Sequence, residues 1–188
     1  PMKNLLRAFT ALLGLSLMTA AVAAEDGWLA LSQPGNVVLF RHATAPGIGD
    51  PANFKPFDCS TQRNPDDKGP ADARPLGERF RSRKIEVAAV LTSQWCRTRE
   101  TARLAFGDVV KDEPAFNSTF RASGEISDAQ TARARALLAK WRGPGVLVVF
   151  SHQVNITALT GVYPASAEGV VLRPAADGSL KVLGTISP

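Results

Sequence analysis

Histidine is scarce in this chain, with two in 188 residues, His42 and His152, beside two cysteines, two methionines and a single tyrosine. Each scarcity excludes something. Two histidines and two cysteines at these separations do not make a zinc pattern. There is no internal repeat, which excludes solenoids and propellers. There is no low-complexity tract beyond the N-terminus, and charged residues make up 21%, so the chain does not read as disordered. Beyond the N-terminus no run is long and apolar enough to span a bilayer. A large excess of one charge is also missing. The formal net charge is +5. The densest basic group, Arg79, Arg81, Arg83 and Lys84, reads as a solvated helix end, where cations suit the helix dipole. Nucleic acid is therefore not an expected partner, while a small anionic substrate is compatible with the mild positive balance.

The first 24 residues differ from the rest. Lys3 and Arg7 precede an apolar core, Ala11 to Met18, and the small residues Ala21-Val22-Ala23-Ala24 follow. This layout predicts a signal peptide over 1–24, cleaved after Ala23 or Ala24. The expected protein is exported, periplasmic or secreted, with no stable membrane insertion after cleavage. Removing Lys3 and Arg7 leaves a charge near +5 − 2 = +3. Residues 25–188 suit one domain, and 45% hydrophobic residues are enough to bury a core. Export permits a disulfide between Cys59 and Cys96. Two unpaired thiols are the alternative, because sequence does not give the Cα separation.

Strand and helix patterns alternate. A strand is expected at about 36–40, then a long loop from Ala43 to about Gly69 rich in Pro, Gly, Asp and Asn. A helix should run to about Arg83, with Leu76 and Phe80 at i and i+4. Pro70 and Pro75 each lack an N–H donor, so the regular helix should begin late or kink near Pro75. A strand follows at about 87–92, then a helix through Thr98 to Leu104. Another helix should start at Asp128 as N-cap and run to about Trp141. The strand at 146–150 is continuously Val, Leu and Phe, as in a sheet covered on both faces. A helix at about 154–160 and two late strands, near 169–173 and 179–185, complete the pattern. The fold class is α/β: a three-layer α/β/α sandwich with a mostly parallel sheet and an antiparallel edge.

Three strand ends carry the chemistry. Arg41-His42 ends the first strand, Ser93-Gln94-Trp95-Cys96-Arg97 follows the second, and Ser151-His152 ends the buried Val/Leu/Phe strand. In an open α/β sheet ligands bind outside the carboxyl ends of the strands. Two arginines can clamp a phosphate dianion with paired, charge-assisted hydrogen bonds. The helix after His152 adds backbone N–H groups and a positive dipole end. A neutral imidazole can attack phosphorus, and a second can offset charge on the oxygens. No metal or other cofactor is required, because the arginines supply positive charge. Trp95 would flank the pocket or pack in the core. Asn155 would orient the site or form a local cap. Pro46-Gly47-Ile48-Gly49-Asp50-Pro51 would contact substrate or act as a spacer.

Together these residues resemble the histidine phosphatase superfamily, the phosphoglycerate-mutase-like proteins. The motifs that carry the resemblance are Arg41-His42-Ala43, Ser93 to Ala102, Ser151-His152, and Arg63 to Gly69 leading to Ala73-Arg74. The resemblance implies His42 as a nucleophile that carries a phosphoryl group, with Arg41, Arg97 and His152 completing the pocket. Ala43 stands where the family has glycine, which a small residue tolerates at negative φ. Pro65 and Pro70 also depart from the pattern at the helix start. Gln153 follows the second histidine where one branch has aspartate, and is counted here among the phosphate-binding residues. In the other branch the proton donor comes from the segment after the arginine strand and its helix. Glu113, Glu125 and Asp128 are the candidates, and Glu125 is chosen by position. The implied function is an exported, metal-independent phosphatase acting on a small phosphorylated substrate. A phosphomutase and a non-catalytic phosphate-binding module are the alternatives.

Overall fold

The computed structural model describes residues 27–188; the expected signal peptide lies outside the described residues. Six strands are formed: β1 (Val37–Arg41), β2 (Val87–Thr92), β3 (Val110–Asp112), β4 (Val146–Ser151), β5 (Gly169–Pro174) and β6 (Leu180–Ile186). The longer helices are α1 (Gly69–Ser82), α2 (Cys96–Phe106), α3 (Gly124–Ala139) and α4 (Gln153–Thr160). The sheet order is β3-β2-β4-β1-β5-β6. The first four strands in that order run parallel, while β5 and β6 pair antiparallel at one edge.

Side chains alternate across the pleat, so each strand feeds two cores. Val38 and Phe40 of β1, with Val148 and Phe150 of β4, pack with Leu76 and Phe80 of α1 and Ala102 and Ala105 of α2. Val37 and Leu39, with Leu147 and Val149, pack with Ala134 and Leu138 of α3 and Ile156 and Leu159 of α4. All six residues of β4 are buried, as a strand covered on both faces must be. The three-layer sandwich expected from the alternating pattern is the fold observed.

Two helix starts correct the sequence reading. Helix α1 does not begin late. It starts at Gly69 with Pro70 in its first turn, where the missing N–H would have no intrahelical acceptor in any case. It continues through Pro75, whose ring nitrogen leaves the Ala71 carbonyl without its usual donor. Helix α3 starts a turn before Asp128. Ser123, in extended conformation, precedes the helix, and its carbonyl accepts from the Ser127 N–H at 2.9 Å. Asp128 is an exposed residue inside the helix rather than its cap. The short strand β3, which pairs only with β2, was not apparent from so brief an apolar segment.

The cysteines are joined. Cys59 and Cys96 form a disulfide with a Cα separation of 5.7 Å, within the range a bridge requires. It ties the long 43–69 loop to the first residue of α2.

Candidate active site

Strands β1, β4 and β2 are neighbours and parallel, so their carboxyl ends fall on one sheet edge. Arg41 is in register with Ser151, and Thr92 with Phe150. Backbone bonds continue past the strand ends. The His42 N–H donates to the Ser151 carbonyl at 3.2 Å, and the Ser93 N–H to the Phe150 carbonyl at 3.0 Å. The His42 carbonyl accepts from the Ala167 N–H at 3.2 Å, so the nucleophile candidate is held on both sides. Ala43 is fully buried, lies outside the positive-φ residues, and its N–H donates to Thr101 Oγ1 at 3.0 Å. Alanine therefore meets the backbone requirement at that position.

His42, His152, Arg41, Arg97 and Gln153 line one cleft of about 210 Å³. The imidazole centroids are 5.6 Å apart and both rings are buried. His42 Nδ1 lies 2.8 Å from the Ala43 carbonyl, which only a protonated nitrogen can satisfy. The proton is thus fixed on Nδ1, and Nε2 keeps a free lone pair. His152 Nε2 lies 2.9 Å from Ser93 Oγ, which also accepts from the Trp95 N–H at 3.2 Å. With the serine hydroxyl donating to Nε2, Nδ1 of His152 carries the proton and has no partner. Burial, above all, lowers the His42 pKa to about 3, and the nearby Arg97, Arg63 and Arg41 charges push the same way. Burial also holds His152 well below the ordinary histidine value, reinforced by Arg97 and His42. Both rings are therefore neutral near pH 7, as nucleophilic attack requires.

The arginines are set by different means. Arg97 lies in the first turn of α2, with Nη1 2.7 Å and Nη2 3.3 Å from the two carboxylate oxygens of Asp50. Asp50 also accepts from Trp95 Nε1 at 2.9 Å and from the Arg63 N–H at 3.1 Å. Burial pushes its carboxyl up, but the hydrogen bonds from Arg97 and Trp95 outweigh this and hold it below the usual value. Arg41 donates through Nη1 to the Pro164 carbonyl at 3.1 Å. Arg63 donates to the Gly49 carbonyl at 3.0 Å and to the Ala45 carbonyl, and lines the same cleft. The end of α4 that meets the cleft carries no side-chain cap, so its first backbone N–H groups stay available.

Six buried side-chain polar atoms among the described residues lack a partner. Three of them, Arg41 Nε, Arg97 Nε and His152 Nδ1, belong to residues lining this cleft. A buried donor without an acceptor costs about 1–3 kcal/mol. All three sit on residues that ring this cleft, and with the His152 proton on Nδ1 all three are donors, a composition suited to an oxyanion.

Glu125 does not join the cleft. It is exposed in the first turn of α3. Glu113 accepts from the Ala115 N–H at 3.0 Å and caps a short 3-10 turn. Among the described residues no aspartate or glutamate lines the cleft, and no group of three or more His, Cys, Asp or Glu is placed to hold a metal ion. Trp95 does not line the cleft but backs it, stacked on Phe54 with centroids 4.8 Å apart and edge-on to His152 at 5.6 Å. Asn155 is no cap: its side chain donates to the Asn117 carbonyl at 2.8 Å and ties α4 to the neighbouring loop. Sequence reasoning places Ser93 and Arg63 within motifs and Asp50 within a loop that would contact substrate or act as a spacer, but gives none of the three a role of its own. The contacts that set those roles, Asp50 with Arg97 and Ser93 with His152, join residues far apart along the chain.

No family model matches the sequence, and no curated protein matches it. Solved structures do match the fold. The protein histidine phosphatase SixA, solved with tungstate, aligns with a TM-score of 0.58 at 17% identity, covering 81% of this chain and 97% of its own. The product of open reading frame Rv3214 of Mycobacterium tuberculosis aligns with a TM-score of 0.60 at 15% identity, covering 81% and 97%. YhfR of Bacillus stearothermophilus gives 0.57 at 14% identity, covering 79% and 95%. At these identities the likeness is one of fold, the phosphoglycerate-mutase-like α/β arrangement.

Proposed function

We propose that this protein is a phosphatase that hydrolyses phosphate monoesters through a phosphoryl group carried on His42. The observation that carries the reading is the set of unpartnered buried donors on Arg41, Arg97 and His152 around a neutral imidazole with a free Nε2. The SixA structure, whose fold this chain shares, was solved with tungstate, a tetrahedral oxyanion. In the proposed sequence the phosphate sits on the guanidinium groups and the open end of α4. Nε2 of His42 forms a bond to phosphorus as the ester P–O bond breaks, and the electron pair leaves on the alcohol oxygen. Water then attacks phosphorus, the P–N bond breaks, inorganic phosphate departs and Nε2 regains its lone pair. The orphaned donors bind the equatorial oxygens most strongly as charge spreads over them.

The step requires no metal, because three arginines and a helix terminus supply the positive charge. The signal-peptide layout of residues 1–24, together with a disulfide, supports an exported location. The mass of the mature N-terminus from an expressing cell tests that part: retention of the full leader would overturn it.

The deciding experiment is a phosphate-ester panel scored for released phosphate, with and without a chelator, alongside rapid-quench analysis for acid-labile phosphate on His42. Activity that survives chelation, and His42→Ala folded but inactive and unlabelled, is the expected result. Full activity in His42→Ala would overturn the mechanism. Phosphate binding with no turnover of any ester would favour a binding module, and isomerised rather than free phosphate a mutase.

A further inference from the structure

The anion-binding floor accounts for the polar half of the cleft; its mouth is apolar. Ile48, Phe120 and Tyr163 line the cleft and remain 87%, 51% and 71% exposed. Large apolar side chains left in water at one opening mark a place where something apolar is received. The mouth is a built feature. Gly49, at φ +68°, lies so close to Phe120 that a Cβ there would sit 3.2 Å from its ring. The 46–51 loop and the Ser118–Arg121 segment thus meet above the anion site. Asp50 anchors the first of these loops to Arg97 and Trp95, and Val154 of α4 lines the cleft as well.

A second, independent observation concerns the leaving group. Among the described residues no carboxylic acid lines the cleft, and Asp50, the carboxylate that touches the clamp, is held ionised by Arg97 and Trp95. Both imidazoles are neutral, with His42 Nδ1–H committed to the Ala43 carbonyl. No carboxylic acid or imidazolium is therefore set to protonate the departing oxygen, and the one phenol of the lining, Tyr163, is 71% exposed at the mouth and no more acidic than a phenol leaving group. An aliphatic alkoxide is about as basic as hydroxide and leaves poorly without a proton. A phenolate, from a phenol of pKa about 10, leaves unaided far more readily.

Resting on the phosphatase reading of this same site, we infer that the substrate class is the aryl phosphate monoester. The phenyl ring lies against Tyr163, Phe120 and Ile48, and the phosphate against Arg41, Arg97 and His152. In the transfer step the His42 Nε2–P bond forms and the aryl O–P bond breaks. The electron pair departs on the phenolate, which takes its proton from solvent. The requirement is for a flat apolar leaving group of low basicity.

The test compares kcat/KM, which reports the first transfer, across ring-substituted phenyl phosphates of different phenol pKa and for cyclohexyl phosphate as an aliphatic match. The expected result is a steep fall in kcat/KM as phenol pKa rises, with cyclohexyl phosphate at least a hundredfold below phenyl phosphate. Tyr163→Ala and Phe120→Ala should each raise KM for phenyl phosphate several-fold while leaving inhibition by inorganic phosphate unchanged. A flat dependence on phenol pKa, or cyclohexyl phosphate within threefold of phenyl phosphate, would overturn the inference and leave the phosphatase reading standing. Turnover that does not depend on His42 would instead sink the phosphatase reading.

Discussion

Asp50 shows how a single residue sets a site it does not line. Its carboxylate takes two guanidinium N–H groups of Arg97, the Trp95 indole N–H and the Arg63 backbone N–H. Arg97 is fixed in plane by those bonds and keeps Nε unpartnered. Asp50→Asn preserves shape but replaces an acceptor oxygen with a donor facing other donors. Hydrogen bonds to charged groups contribute about 1.5–3 kcal/mol, so kcat/KM on an aryl phosphate should fall about ten- to hundredfold in a folded variant. Unchanged kcat/KM would show that Arg97 holds its position unaided. His42 carries a second residue-scale expectation. Its native pKa is lowered to about 3 from the ordinary 6.5. As pH falls, the unfolded chain therefore binds the proton first. The associated stability is fully present above about pH 6.5 and is lost as the pH falls from there towards 3. Between pH 7 and pH 5 the loss from this group amounts to about 2 kcal/mol. Urea unfolding of the wild type and of His42→Gln at both pH values checks it; the variant should lose about that much less stability on acidification.

At the scale of elements, the sheet edge and the helix contacts place the residues. Gly77 of α1 meets α2 so closely that a Cβ would lie 1.8 Å from the Ala105 carbonyl oxygen. Gly77→Ala must push two helices apart and should destabilise by about 1–3 kcal/mol despite alanine's better helix propensity. Thermal unfolding would show it, and a variant as stable as the wild type would mean that the helices are free to slide. Most elements were legible from periodicity: β1, β2, β4, α2, α4 and the final hairpin fall where expected within one or two residues. The misses share a cause. Helix starts such as Gly69 and Ser123 are set by backbone bonds and contacts, so Pro70 and Asp128, read as local signals, pointed to the wrong residues.

For the whole molecule, the Cys59–Cys96 bridge closes a chain segment with a sequence separation of 37. It links the loop before α1 to the helix that carries Arg97. Closing such a loop limits the unfolded chain and is worth about 2–4 kcal/mol. Reduction, or Cys59→Ser with Cys96→Ser, should lower unfolding stability by that amount. It should also weaken phosphate inhibition, because Cys96 neighbours Arg97 and its N–H is held by Gln62 at 2.9 Å. Equal stability of the oxidised and reduced forms, measured in denaturant, would show that the bridge adds no constraint.

The sequence by itself determined the layered α/β fold and pointed to His42, His152, Arg41, Arg97 and Gln153, which the fold gathers around one cleft. Strand periodicity and positions just after apolar runs are local properties, and local properties survive in one dimension. Only the tertiary structure decided the rest. It paired Asp50 with Arg97 across 47 residues, brought Arg63 to the cleft, joined the cysteines and left Glu125 in solvent. Such pairings depend on where loops cross the sheet edge, and the long 43–69 loop has no periodicity to announce its path. The two scarce histidines could be found from the sequence, but the protons they hold and the apolar mouth above them required the fold.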